Sequence, residues 1–324
     1  MPPFPPSLSQ WKYRKAFQIT EQAGQNLTDY QKLIKIGESS GATGCDFHLE
    51  GLSAIFPSGK NQGGDIRITD SDKTTLLSFW VERITGTSPN RIAYVWVKIP
   101  SLSANQTKTL YCYFGNPNAS NVSNGNNTFV FFDDFDSDTI PTRWTYTGSG
   151  SYSVSGSIIS LYNSDAAGRK YCTQSQVLNP SGSYAVRAYC QHAGAYDVYV
   201  GMRNADYSNR FFHDIAVNWG NYKAHDLVVG GSQARYIQYE SSDTNWHIVE
   251  EANFGTTFYA FLDGVQKDSY TVSNQSHGYV GFTHSGSGYQ YIDWILARKF
   301  VYPEPVFSSA GNLERGSSII PFII

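Results

Sequence analysis

Residues 246–272, WHIVEEANFGTTFYAFLDGVQKDSYTV, hold three short runs (246–253, 257–262 and 267–272) rich in aromatic and β-branched residues and parted by turn residues. Such runs read as strands, because those side chains pack well on a pleated, half-buried surface. Leu262-Asp263-Gly264 lies between two of them and suits a tight hairpin, whose central residues need positive φ. The same rhythm continues outward. Further strands are expected at 151–162, 184–192, 196–202, 209–217, 225–229, 235–239, 278–284 and 289–300. So many short strands between polar turns fit a sandwich or jelly roll.

The first half repeats the pattern. Trp11, Tyr13, Phe17 and Ile19 alternate with polar residues, the mark of a strand with one buried face. Strands follow at 30–36, 65–69, 76–84, 91–99 and 107–114; in the last, Leu110, Cys112 and Phe114 share an inward face. Residues 116–128, NPNASNVSNGNNT, are polar and read as a linker. The chain of 324 residues therefore divides into a β-sandwich at 8–116, a linker at 117–127, a second β-sandwich at 128–303 and a C-terminal arm at 304–324. Charged residues are only 16% against 15% aromatic, and no helical apolar stripe persists for three turns, so the fold class is all-β.

A net charge of −3 with scattered Lys and Arg gives no nucleic-acid footprint. No apolar stretch approaches the ~18 residues of a spanning helix. The opening Met1–Pro6 lacks the segments of a signal peptide, so export by another route or a processed start is expected.

Two resemblances add to this reading. W-x-Y-R-K near the start, D-I-R-I-T-D-S-D-x-T-T-L-L (65–77), W-V-x-I-P-S-L-x-A (96–104) and L-Y-C-Y-F-G-N-P-x-A-S (110–120) resemble the domain of unknown function numbered 2341, over residues 8 to about 120. That resemblance implies a surface setting and often a following lectin-like domain; it implies no reaction. F-F-D-D-F followed by a Trp (131–144), N-W-H-I-V (245–249), F-Y-A-F-L-D-G-V (258–265), G-Y-V-G-F (278–282) and I-D-W-I-L-A-R-K-F (292–300) resemble the laminin-G or concanavalin-A-like superfamily. It implies a jelly roll of two curved sheets, a concave face that often takes carbohydrate, and frequently a structural calcium.

Cys45 and Cys112 fall in the first half, Cys172 and Cys190 in the second, which suits one disulfide per domain; buried free thiols are the alternative. Sequons at Asn26, Asn105, Asn118, Asn121, Asn126 and Asn274 add to the expectation of a glycoprotein outside the cell, on a cell or virion surface.

Chemistry is less legible. Glycosidases need a carboxylate pair, and laminarinase-like enzymes of this fold carry E-x-D-x-x-E, which is absent: none of the nine glutamates has Asp two residues later. Glu250-Glu251 are adjacent on a strand and face opposite ways, so no enzyme is expected. Asp133, Asp134, Asp136 and Asp138 supply hard oxygen ligands. Thr139 and Thr145 stand where an EF-hand needs Gly and Glu, so that motif is out. The superfamily resemblance instead implies a structural Ca2+ at Asp133, Asp134 and Asp293; capping of turns is the alternative. The seven histidines show no zinc spacing.

For ligands, 196–239 is richest, with Tyr199, Arg210, His213, Trp219 and Tyr222 as candidates, since sugars stack on aromatic faces while polar side chains take their hydroxyls. The end, SSIIPFII (317–324), suits strand addition to a neighbouring copy through Ile319, Ile320, Phe322, Ile323 and Ile324. The expected function is a non-enzymatic surface protein whose lectin-like domain binds glycans or neighbouring proteins. A subunit of a filament, sheath or virus particle, and a polysaccharide-cleaving enzyme, are the alternatives.

Overall fold

The computed structural model describes residues 4–53, 64–163, 169–194, 197–217, 222–286 and 288–316. They form two compact units, Met1–Thr128 with Tyr302–Ile324, and Phe129–Val301. Both are built almost wholly of strands, as the alternating sequence dictates.

The first unit pairs a five-stranded with a four-stranded sheet. In the first sheet, Tyr13–Thr20 lies between Val306–Ala310 and Thr107–Phe114, and Arg67–Thr69 follows. In the second, Leu27–Gly37 and Ile92–Leu102 are the long central pair. Phe17 of one sheet stacks on Phe47 of the other at 5.3 Å between ring centres.

Two segments depart from expectation. Residues 117–127 do not solvate a free tether; they run back along the edge strand Phe79–Thr85. Asn124 N donates to Phe79 O at 2.9 Å, Val81 N donates to Ser123 Oγ at 2.9 Å, and Arg67 Nη2 donates to Ser120 O at 3.0 Å. A polar segment here satisfies backbone groups that an open sheet edge would leave unpaired. Nor is the arm from 304 free through its described length. Val306–Ala310 pairs antiparallel with Tyr13–Thr20, and Glu314 binds Arg14. The assembly residues Ile319, Ile320, Phe322, Ile323 and Ile324 lie outside the described residues.

The second unit packs an eight-stranded sheet on a seven-stranded one. The first runs Ser151–Ser155, Ile158–Asn163, Gly288–Lys299, Tyr184–Ala193, His247–Phe254, Thr257–Leu262, Val265–Thr271, with Phe131–Asp133 also on Gly288–Lys299. The second runs Ser232–Ser241, Tyr222–Val229, Arg210–Val217, Asp197–Arg203, Tyr279–Ser285, Arg169–Thr173, Trp144–Gly148. The expected turn at 263–264 is a hairpin with φ of 51° and 81°, which matches the Asp-Gly signal. The expected strand 151–162 is instead two strands joined at Gly156-Ser157.

One apolar core fills the space between these sheets. Phe211 from the seven-stranded sheet stacks on Phe258 from the other at 4.0 Å. Trp144 meets Phe131 and Phe282 edge-on at 5.3 and 4.8 Å, geometries worth ~0.5–1.5 kcal/mol each beyond area. Its indole N–H donates to the buried Asp133 at 2.8 Å, so the polar end of the ring is satisfied too.

The cysteines correct the disulfide expectation: all four are free thiols. Cys190 lies in the core between the sheets, whereas Cys172 opposes Gly281 within the seven-stranded sheet, on the alternate side from core residue Tyr171. Side chains on opposite faces of different sheets cannot be bridged. In the first unit, the Cys45 thiol donates to Ala42 O at 3.0 Å instead.

Candidate functional site

The strands Arg210–Val217 and Tyr222–Val229 put successive side chains on opposite faces of the seven-stranded sheet. Phe211, Ile215 and Leu227 enter the core. His213 and His225, directly opposite each other in register, point the same way.

His225 is fully buried and bridges to the other sheet. Its Nε2 lies 3.0 Å from Glu251 and its Nδ1 2.9 Å from Asp268. Arg235 adds a two-point contact to Asp268, at 3.1 and 2.9 Å. Burial alone would lower the His225 pKa, but the Glu251 and Asp268 carboxylates hold it up at about 9. Asp268 is pushed up by burial yet ends well below the usual carboxylate range, because His225 and Arg235 donate to it. His213, bonded to the Tyr239 hydroxyl, has no such carboxylate; burial and the His225 charge drive it down to about 3. Lys223 completes the layer, donating to Asp243 at 2.7 Å and Ser241 O at 2.9 Å. In this layer His225, Arg235 and Lys223 each meet an anion or accepting oxygen inside the fold.

The alternate residues form the other face. Arg203 stands directly opposite Arg210, and Phe212 directly opposite Asp226. Gly201 pairs with Gly281 beside them. A Cβ at Gly201 would lie 2.8 Å from the Phe212 ring, and one at Gly281 3.0 Å from the Arg203 chain. These two glycines thus make a floor on which Phe212 and the Arg203 stem lie.

Over this floor folds Tyr207, from the hairpin loop 204–209, with φ of 65°. Asn204 Oδ1 accepts from Asn209 N at 2.9 Å, Asn204 Nδ2 donates to Ser208 Oγ at 2.9 Å, and Asn209 Nδ2 donates to Ser276 O at 2.9 Å. That network holds the loop in a conformation a non-glycine residue adopts only when its surroundings over-determine it. Three cations surround the Tyr207 ring: Arg203 at 4.4 Å, Lys170 at 4.5 Å and Arg210 at 5.2 Å from its centre. Its hydroxyl lies 3.4 Å from Thr283 Oγ1. Tyr199 and Tyr207 flank Phe212, at 5.8 and 6.0 Å.

Charge here is poorly compensated. Asp226 is 3.7 Å from Arg210 and is otherwise bonded to Gln233. Burial pushes the Asp226 carboxyl up. Arg203 donates to backbone oxygens of Asn204 and Ala205. Among the described residues Lys170 has no hydrogen-bond or ion-pair partner; burial, then the Arg210 and Arg203 charges, lower its pKa.

Of the residues chosen from sequence, Arg210 and Tyr199 belong to this face. Tyr222, 38% exposed, begins its strand, and His213 is in the interior. Trp219 lies outside the described residues. Arg203 and Tyr207 fall among the aromatic and basic residues that make 196–239 the richest segment, whereas Lys170, Phe212 and Asp226 were missed. A signal was present, since R-N-A-D-Y-S-N-R (203–210) places a Tyr in a tight polar loop between two arginines.

The calcium ligands do not converge. Asp133 accepts from Phe135 N, Thr139 Oγ1 and the Trp144 indole, so both oxygens are engaged. Asp134 is half-buried, and burial and then Asp136 raise its pKa. Asp293 is the extra residue of a bulge, with Cys190 opposite Ile292 and Tyr189 opposite Trp294. Among the described residues no group of three or more His, Cys, Asp or Glu forms a metal-binding set. The sequon residues Asn26, Asn105, Asn118, Asn121, Asn126 and Asn274 are all exposed. No helix among the described residues is long and apolar enough to cross a membrane.

A family described as a domain of unknown function (DUF2341) matches residues 62–147. The matched segment begins later than the resemblance from residue 8 and extends past Thr128 into the second unit. No curated protein matches the chain. Among solved structures, a carbohydrate-binding module from Bacillus subtilis is similar at 14% identity and a TM-score of 0.40, over 49% of this chain and 96% of that one. A β-glucanase from Bacillus licheniformis is similar at 9% and 0.42, over 53% and 98%. The laminarinase catalytic domain from Thermotoga maritima is similar at 13% and 0.40, over 53% and 98%. Function is therefore argued from this chain's own side chains.

Proposed function

We propose that the second unit is a non-catalytic glycan-binding domain of a protein working outside the cell, and that its site is the outward face of the seven-stranded sheet. The observation that carries this reading is the pair Tyr199 and Tyr207, partly exposed over the buried Phe212 and set among Arg203, Arg210 and Lys170 by a braced loop. Aromatic faces stack on the C–H surfaces of sugar rings, while flanking donors take oxygens. The carboxylates on the inward side, Glu251 and Asp268, are bonded to His225 and Arg235 between the sheets, which supports binding over cleavage. Asp226 is the acid of the outward face; with its pKa raised by burial, it favours cleavage as the second reading.

A glycan array probed with the full chain and with Tyr207→Ala tests the site. Binding lost in the variant, with its circular dichroism unchanged, is the expected result. Equal binding by both would place the site elsewhere, and product release from any bound polysaccharide would replace binding with hydrolysis.

A further inference from the structure

Like charges directly opposite each other across two strands destabilise a sheet. Arg203 and Arg210 nevertheless occupy such a pair, and Lys170 adds a third cation against the same Tyr207 ring. Among the described residues the carboxylate paired with this group is Asp226, which meets Arg210 at 3.7 Å. Among the described residues, this array of three cations on one aromatic ring has one ion pair to a carboxylate and no hydrogen-bond acceptor for Lys170. The rest of the sheet behaves otherwise: His225, Lys223 and Arg235 each reach a carboxylate within 3.0 Å.

We propose that this face takes a negatively charged saccharide, one bearing a carboxylate or a sulfate, with Lys170, Arg203 and Arg210 holding the acidic group and Tyr199 and Tyr207 holding the ring. The proposal rests on the glycan-binding reading and names its ligand class. Arg210 presents a planar fork that matches an oxyanion at two points, and Lys170 acts as a point charge; Arg203, buried and held by the backbone oxygens of Asn204 and Ala205, adds its charge from beneath. An anion would also remove the repulsion among the three cations, so part of its affinity comes from relief of strain already present in the free protein.

Affinity electrophoresis of the full chain through gels containing polygalacturonate, dextran sulfate or unmodified dextran reads this directly, supported by calorimetry with trigalacturonate. Retardation by polygalacturonate or dextran sulfate, but not by dextran, is expected, and the more effective polymer distinguishes carboxylate from sulfate. Lys170→Met with Arg210→Gln should weaken that retardation about tenfold or more, the scale of one lost charge-assisted contact. Equal retardation by dextran, unchanged in the double variant, would leave glycan binding standing and overturn the anionic class. Inorganic sulfate binding with no saccharide bound would overturn both, as would no binding of any kind. Arg210→Lys, which keeps the charge and loses the fork, should recover part of the affinity; no difference between Lys and Gln at 210 would count against a charge contact there.

Discussion

The two faces of the seven-stranded sheet carry nearly the same residue types under opposite rules. Inward, His225, Lys223 and Arg235 are matched by Glu251, Asp243 and Asp268 at 2.7–3.0 Å. Outward, Lys170, Arg203 and Arg210 share one distant carboxylate. The contrast follows from desolvation. A charge sealed between two sheets costs several kcal/mol unless it is paired, so the interior must be neutralised by the fold itself. On the outward face Arg203 and Asp226 are buried as well, but Lys170 and Arg210 are only partly buried, so the demand on them is weaker and their charge is kept for something that arrives later.

If the inward charges are structural, breaking their pairing should damage stability most. His225→Ala strips the buried Glu251 of its partner, leaves Asp268 with Arg235 alone, and should cost ~3–5 kcal/mol, measured by urea denaturation. A loss below about 1 kcal/mol would mean that water reaches this cluster and the contrast is overstated.

Titration gives the next largest effect. His225 has a folded pKa of about 9, above its ordinary value of 6.5, so its stabilising contribution is full below 6.5 and fades as pH rises towards 9. His213 at about 3 and His277 at about 4 are depressed by burial. Their contributions are full above 6.5 and fade as pH falls towards those values. Stability followed by thermal unfolding should therefore peak near pH 6.5. In a conservative His225 variant the alkaline decline should flatten while the acid limb stays.

On the outward face the sign should reverse. Lys170→Met removes a cation that has no hydrogen-bond or ion-pair partner among the described residues, and should leave stability unchanged or raise it by up to ~0.5 kcal/mol, while ligand affinity falls. A clear loss of stability would show that Lys170 has a structural task and would erase the contrast. The smallest effect concerns the thiols. A reducing agent should leave the melting temperature unchanged, and mass spectrometry after alkylation under denaturing conditions should count four free cysteines.

Much of the fold was legible because burial imposes a period of two on a strand. The alternation at Trp11–Ile19 and the Asp263-Gly264 turn each matched a local rule that the structure obeys. The polar run 117–127 was misread, because composition reports that a segment avoids the core but not whether its amides meet water or an edge strand. The cysteines show the same limit: an even count suggests bridges, yet pairing depends on which face each side chain takes. Of the site, Tyr199 and Arg210 were found from residue type, whereas His213 belongs to the interior. His213 and Arg210 stand three apart on one strand and so lie on opposite faces, a difference that period alone could have signalled.

What the sequence determined by itself was local: strands, turns, an all-β chain in two units, and the absence of a spaced carboxylate motif. Lys170, the 203–210 hairpin with Arg203 and Tyr207, and Asp226 come from three different places in the chain, and the sheet order brings them together. Hydrogen-bond register across the 204–209 hairpin placed Arg203 opposite Arg210, and inter-sheet packing decided that His225 would meet Glu251 and Asp268. Charge compensation depends on distances of 3–4 Å across such contacts, because Coulomb energy and desolvation both change steeply there. No property of a residue's chain neighbours carries that information.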